Sequence, residues 1–195
     1  MGFLKNWLEK RERDRKEKEA WNLQESAWKF AWTDGKIDRA KSVELYIRSA
    51  ALYAEIDQNK DAAKYYHLAG EQENELGNHA EANRWFELAI KLDPECGEAY
   101  RDLAVNCADG KGIEIDYARA VGLFEKAVEF LARRSFGKRE TAEYCLRAAE
   151  LETLLGHPSK AGKWRKKAAE LIKMAEITKS TFYIPKFRGC KRPER

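Results

Sequence analysis

The sequence has little of what breaks a chain or flattens it into a sheet. It holds four prolines in 195 residues. Val, Ile and Thr are scarce beside Ala, Glu, Lys, Leu and Arg, which argues against β structure. Histidine is scarcer still: His67, His79 and His157 are the full set, and none follows a Glu by three residues, which excludes the di-iron helix motif. There is no G-x-S-x-G, Walker A, H-E-x-x-H or dinucleotide fingerprint. The expectation is a non-enzyme with no catalytic, cofactor-binding or metal residues. Four cysteines (Cys96, Cys107, Cys145 and Cys190) show neither C-x-x-C nor zinc-finger spacing, so reduced thiols and a cytoplasmic setting are expected. No apolar run approaches the roughly 18 residues of a membrane span. Charges begin at Lys5, which leaves no signal-peptide hydrophobic region in the first eight residues.

What is present favours long amphipathic helices. Hydrophobic residues make up 44% of the chain and charged residues 36%, enough of each to give every helix an apolar stripe and a wet face. The net charge is +4, and Lys179 to Arg195 alone carry +5, so the body is nearly neutral and the basic character belongs to the tail. Periodicity and punctuation predict eight helices in four pairs: 18–33 with 38–57, 60–76 with 79–92, 96–109 with 116–132, and 138–155 with 158–177.

The pairs repeat. Gly35-Lys-Ile-Asp-Arg-Ala40, Gly77-Asn-His-Ala-Glu-Ala82, Ile115-Asp-Tyr-Ala-Arg-Ala120 and Gly156-His-Pro-Ser-Lys-Ala161 each enter a helix with Ala in sixth place. These alanines lie 42, 38 and 41 residues apart. Seven residues on, along the same face, stand Ile47, Ala89, Ala127 and Ala168. Two antiparallel helices approach closely only where small residues face each other, and a large residue one turn later fills the remaining space. Phe86 and Phe124 hold that filling position; Glu44 and Arg165 stand there in the outer units.

Residues 63–94 resemble a tetratricopeptide repeat (TPR), with Tyr66, Gly70, Gly77, Ala82, Phe86, Ala89 and Pro94 at its signature spacings. The next unit, with its insertion Gly110-Lys-Gly112-Ile-Glu-Ile-Asp116-Tyr, is similar to the SEL-type variant. The resemblance covers roughly residues 21–175. A more local similarity, over residues 36–89 and including Tyr46-Ile-Arg-Ser-Ala-Ala-Leu-Tyr53, is to the SNAP vesicle-fusion adaptors. The TPR resemblance implies an all-α, right-handed solenoid of about four helix pairs. It implies a protein-interaction scaffold or adaptor that holds a partner peptide or helix in a concave groove. The domain reading is a charged N-terminal helix over 1–20, a solenoid over 21–178 and a basic tail over 179–195.

Carried onto this chain, the groove positions are Glu25, Lys29 and Trp32, then Lys64, His67, Glu71, Asn74 and Glu75. They continue with Glu98, Arg101, Val105 and Asp109, and end with Glu143, Leu146 and Glu150. Seven acidic against three basic residues suit a basic or amphipathic partner. The carboxylate clamp of some TPR proteins needs Lys, Asn and Arg, where this chain has His67, Glu71, Asp102 and Glu98.

Three further features carry expectations. Phe3, Leu4, Trp7 and Leu8 share one helical face, read as a cap folding back on the first repeat, with a docking helix or membrane-surface anchor as alternatives. Trp21, Trp28, Phe30 and Trp32 are read as core, with Trp32 or Phe30 reaching a surface. In the tail, Phe182, Tyr183 and Phe187 interleave with Lys186, Arg188 and Lys191. That mixture supports the alternative reading, an RNA- or ribosome-associated repeat protein. It also suits a tail that occupies the acidic groove until a partner displaces it.

Overall fold

The structure, a computed structural model, describes residues 2–32, 37–133 and 137–181, with side chains for 4–32, 37–133 and 137–177. The described residues form eight α-helices and no strand. These are α1 (Gly2–Trp32), α2 (Arg39–Glu55), α3 (Asn59–Glu75), α4 (His79–Leu92), α5 (Gly97–Asp109), α6 (Tyr117–Leu131), α7 (Lys138–Leu154) and α8 (Pro158–Thr181). The starts are set locally. The Asp38 carboxylate accepts from the Lys41 amide and that of Asp116 from the Arg119 amide, each at 2.9 Å, capping α2 and α6. Pro158 opens α8, where its missing N–H costs nothing. No described helix is long and apolar enough to cross a membrane.

Each helix packs against the next, and the array is the expected α-solenoid of helix pairs. The odd-numbered helices form one row, joined directly where α3 meets α5 through His67–Asp102 and Asn74–Asn106. The even-numbered helices form the other, tied by Arg119 of α6 to Glu87 of α4 at 2.9 Å.

The repeat is visible in the seams, with one correction. Every even helix buries a small residue at its fourth position: Ser42, Ala82, Ala120 and Ala161. The amide of each bonds the carbonyl of the residue before its helix, Asp38, Asn78, Asp116 and His157 respectively. Ser49, Ala89, Ala127 and Ala168 follow seven residues later, all buried. Tyr46, Phe86 and Phe124 lie between, also buried, whereas Arg165 is exposed on α8, the last described helix. In the first unit, therefore, the seam is Ser42–Tyr46–Ser49. Ala40 is exposed, Ile47 half-buried and Glu44 exposed. The helix starts after the Asp38 cap, which shifts its register two residues from the position that alignment on Gly35 suggests. Serine substitutes for alanine because it is equally small, and Ser49 Oγ donates to the Ala20 carbonyl of α1 at 2.8 Å, so the buried hydroxyl is satisfied.

Gly70 of α3 is where Phe86 lies: a Cβ there would stand 2.5 Å from Phe86 Cε1. The SEL-type insertion folds over the start of α4. Gly112 has φ +65°, and a side chain on it would run into the backbone of His79 and Ala80. Asn83 pins this loop by donating to the Lys111 carbonyl at 2.9 Å.

The N-terminal expectations change. α1 is unbroken over 31 residues, about 46 Å at 1.5 Å per residue. It therefore does not fold back as a cap, and Leu4, Trp7 and Leu8 are exposed, while the Phe3 side chain lies outside the described residues. Trp21, Trp28, Phe30 and Trp32 are exposed as well, which overturns their reading as core. The seam of α1 against the body is made by Ala20, Ala27 and Ala31 with Leu23 beside them, small enough for close approach and roughly a quarter turn from the tryptophans.

Candidate partner-binding face

The predicted groove positions all lie on the odd-helix row, but they divide into distinct environments. At the α3–α5 step an ionic cluster forms in which His67 is buried and Glu71, Arg101 and Asp102 are half-buried. His67 Nε2 lies 2.7 Å from Asp102 Oδ2 and 3.7 Å from Glu71 Oε1. Arg101 bonds Asp102 through Nε at 2.7 Å and Nη2 at 2.6 Å, and reaches Glu71 at 3.1 Å. Burial alone opposes charge on Asp102. Hydrogen bonds from His67 and Arg101, with the attraction of the guanidinium, outweigh it and hold the carboxyl below the usual aspartate range. Burial likewise works against Arg101, and the bond to Asp102 overcomes it. His67, Glu71 and Asp102 bring three ligand atoms within 4.8 Å of one another, a donor set able to hold a cation. Arg101 already bonds both carboxylates and supplies that positive charge.

One turn on, a ladder of amides continues. Asn106 Nδ2 donates to Asn74 Oδ1 at 3.0 Å and to Asn83 Oδ1 at 2.7 Å, and His79 Nδ1 lies 3.0 Å from Asn74 Oδ1. This network links three helices and fills the floor of the step rather than facing a ligand.

Three of the seven acidic groove residues, Glu71, Glu75 and Asp109, are met by arginines from neighbouring helices. Arg39 of α2 reaches Glu75 at 3.5 Å and the buried Gln72 at 3.2 Å. Arg147 of α7 bonds Asp109 at 2.8 Å and Glu150 at 3.1 Å. Glu25 pairs with Lys29 at 3.0 Å. Glu143 and Leu146 are exposed on α7, and Glu98 and Val105 are half-buried on α5. Arg39 and Arg147 were not legible as groove residues, because nothing in the sequence near either one says that its partner stands more than thirty positions away.

A hollow of about 320 Å³ opens between α1 and α3. Trp21 and Trp28 form one wall and Tyr65 and Leu68 the other, with Tyr46 at the base. Glu25 and Lys64 stand at the rim. The Tyr65 ring stacks on Tyr46 at 6.2 Å and on Tyr53 at 5.4 Å, and Lys64 Nζ sits 5.2 Å from its centroid. Neither Trp32 nor His67 lines this hollow; His67 packs instead toward Asp102 of α5.

In the charged N-terminal stretch, Lys5 pairs with Glu9, Arg15 with Glu12 and Glu19, and Lys16 with Glu55. The tail residues Phe182, Tyr183, Lys186, Phe187, Arg188 and Lys191 lie outside the described residues.

No family model matches the chain, and no curated protein matches its sequence. Among solved structures it is similar to a crystal structure of MamA protein, at 17% identity over 93% of this chain and 98% of that one, TM-score 0.48. It is also similar to BtubC (BKLC) from P. vanneervenii, at 17% identity over 89% and 77%, TM-score 0.44. A third similarity is to a Sel1 repeat protein from Oxalobacter formigenes, at 17% identity over 91% and 82%, TM-score 0.36. By the seams of three of its four helix pairs, small residue, aromatic one turn on and small residue again, this chain is an α-solenoid of TPR-like repeats.

Proposed function

We propose that the chain is a protein-interaction module, a scaffold or adaptor, whose α1–α3 hollow takes an apolar side chain from a partner peptide or helix. The observation that carries this reading is the hollow's lining: five aromatic or aliphatic side chains around about 320 Å³, at the lower end of the roughly 300–1,000 Å³ of ligand-sized pockets. Two of them, Trp21 and Trp28, are exposed tryptophans, the residue type most often found at the energetic centre of interfaces. The rim carries Glu25 and Lys64, one of each sign, and Glu71, Glu75 and Asp109 are already paired with arginine. An amphipathic partner bearing both signs therefore fits better than a purely basic one.

The test is a pull-down from the native host, read by mass spectrometry, comparing the natural chain with Leu68→Glu and with Leu146→Glu. Circular dichroism establishes that each variant is folded. A partner held by the hollow disappears with Leu68→Glu and persists with Leu146→Glu, which lies exposed on α7. A folded Leu68→Glu chain that retains every partner overturns the proposal.

A further inference from the structure

α1 has a second, outward seam. Leu4 and Trp7 begin a series that runs through Arg11, Asp14 and Lys18 and on to Trp21, Glu25, Trp28 and Trp32, at alternating steps of three and four residues. That alternation is the spacing of a coiled-coil seam, and five of its nine positions here are apolar. Every residue of the series is exposed; Leu4 is 62%, Trp7 44%, Trp21 52%, Trp28 56% and Trp32 58% accessible. The alanines that dock α1 on α2 stand roughly a quarter turn away, and Trp21, Glu25 and Trp28 of the seam also border the α1–α3 hollow. The two ends of the seam are apolar and its middle is charged. Among the described residues neither Asp14 nor Lys18 has an ion-pair partner.

The geometry points to a second copy of this chain as the occupant, with its α1 laid antiparallel along the same seam. A parallel pairing sets each residue against itself: Arg11 on Arg11, Asp14 on Asp14, Lys18 on Lys18 and Glu25 on Glu25, which is repulsive at every charged layer. Reversing one helix changes all of these. In the register that sets Lys18 opposite Asp14, two-fold symmetry makes that ion pair twice. The same register places Leu4 against Trp28 and Arg11 against Trp21, and leaves Trp7 over Glu25. Arg11 already favours aromatic faces, since its guanidinium lies 4.8 Å from the Trp7 centroid. The flanking Arg15 is compensated within its own helix by Glu12 and Glu19. Sliding one heptad one way sets Asp14 against Glu25, and sliding the other way leaves Trp28 and Trp32 uncovered. Of these three registers the first alone pairs Lys18 with Asp14, and it leaves only Trp32 without a counterpart.

Trp21 and Trp28 border the hollow as well as the seam, so the test uses Asp14 and Lys18, which belong to the seam alone. The full chain is followed by sedimentation equilibrium over a concentration series. The natural chain forms a dimer. Lys18→Asp opposes two carboxylate pairs and weakens self-association by more than about tenfold. The double variant Asp14→Lys with Lys18→Asp restores the dimer, because the opposed charges are again of opposite sign. A mixture of the two single variants, each weak alone, forms a one-to-one dimer. Circular dichroism shows unchanged helix content throughout, since both residues are exposed. A natural chain that stays monomeric over the whole series overturns the proposal, and so does a double variant no stronger than the single one.

Discussion

Replacing Gly70 with alanine isolates the contact on which the central helix pair depends. The added methyl stands 2.5 Å from Phe86 Cε1 and 2.8 Å from Cδ1, well inside the separation of non-bonded carbons. Phe86 has no room to withdraw: it is fully buried, and the His67 ring stands 5.7 Å from it, centroid to centroid. Such overpacking costs about 1–3 kcal/mol. Alanine also gains about 1 kcal/mol over glycine in a helix interior, so the clash must be measured against a glycine that has none. Gly122 of α6 is that control, exposed and with nothing within 4 Å of its added methyl. Gly122→Ala is expected to raise stability by about 1 kcal/mol. Gly70→Ala should lie about 1–3 kcal/mol below it. For a chain of this size each kcal/mol moves the melting temperature by about 2–4 °C, so thermal unfolding followed by circular dichroism separates the two variants by several degrees. Hydrogen exchange should place the loss in α3 and α4, because repeats contact chiefly their neighbours. If the two variants melt together, Phe86 is not wedged against α3 and the proposed seam is wrong.

Two further predictions test other parts of the structure. The depressed Asp102 carboxyl stabilises the fold above its unfolded value, near the reference 3.8, and that contribution is lost as pH falls through its lower folded value. Urea denaturation between pH 6 and pH 3 (roughly the carboxylate range) should therefore show a smaller acid loss for Asp102→Asn than for the natural chain, and equal slopes would remove the cluster's role. Burial pushes the Cys145 thiol up to about 11, and raises that of Cys107 too. Neither should react with iodoacetamide at neutral pH until denaturant opens the helices, as peptide mapping would show; rapid labelling of the native chain would contradict their burial.

The features that the sequence determined by itself are those that depend on near neighbours. Helix bounds follow from caps and turns a few residues away, and each predicted helix matches an observed one to within three residues at every end except the two chain-terminal ones: the start of α1 and the end of α8. The Ala82–Phe86–Ala89 and Ala120–Phe124–Ala127 seams were readable because one helix face repeats every three to four residues. Tertiary structure decided what depends on residues far along the chain. Ser42, Tyr46 and Ser49 took the first seam because α1 and α3 close on that face of α2, and a serine is invisible to a search for alanine. The tryptophans of α1 stayed outside because three alanines made the closer contact, a choice that periodicity cannot make when both faces are apolar. The groove lost much of its acidic character to Arg39, Arg101 and Arg147, brought from other helices to carboxylates that stand about thirty or more positions away. Local torsions and hydrophobic period are written residue by residue, but a charge takes its meaning from whatever the fold sets beside it.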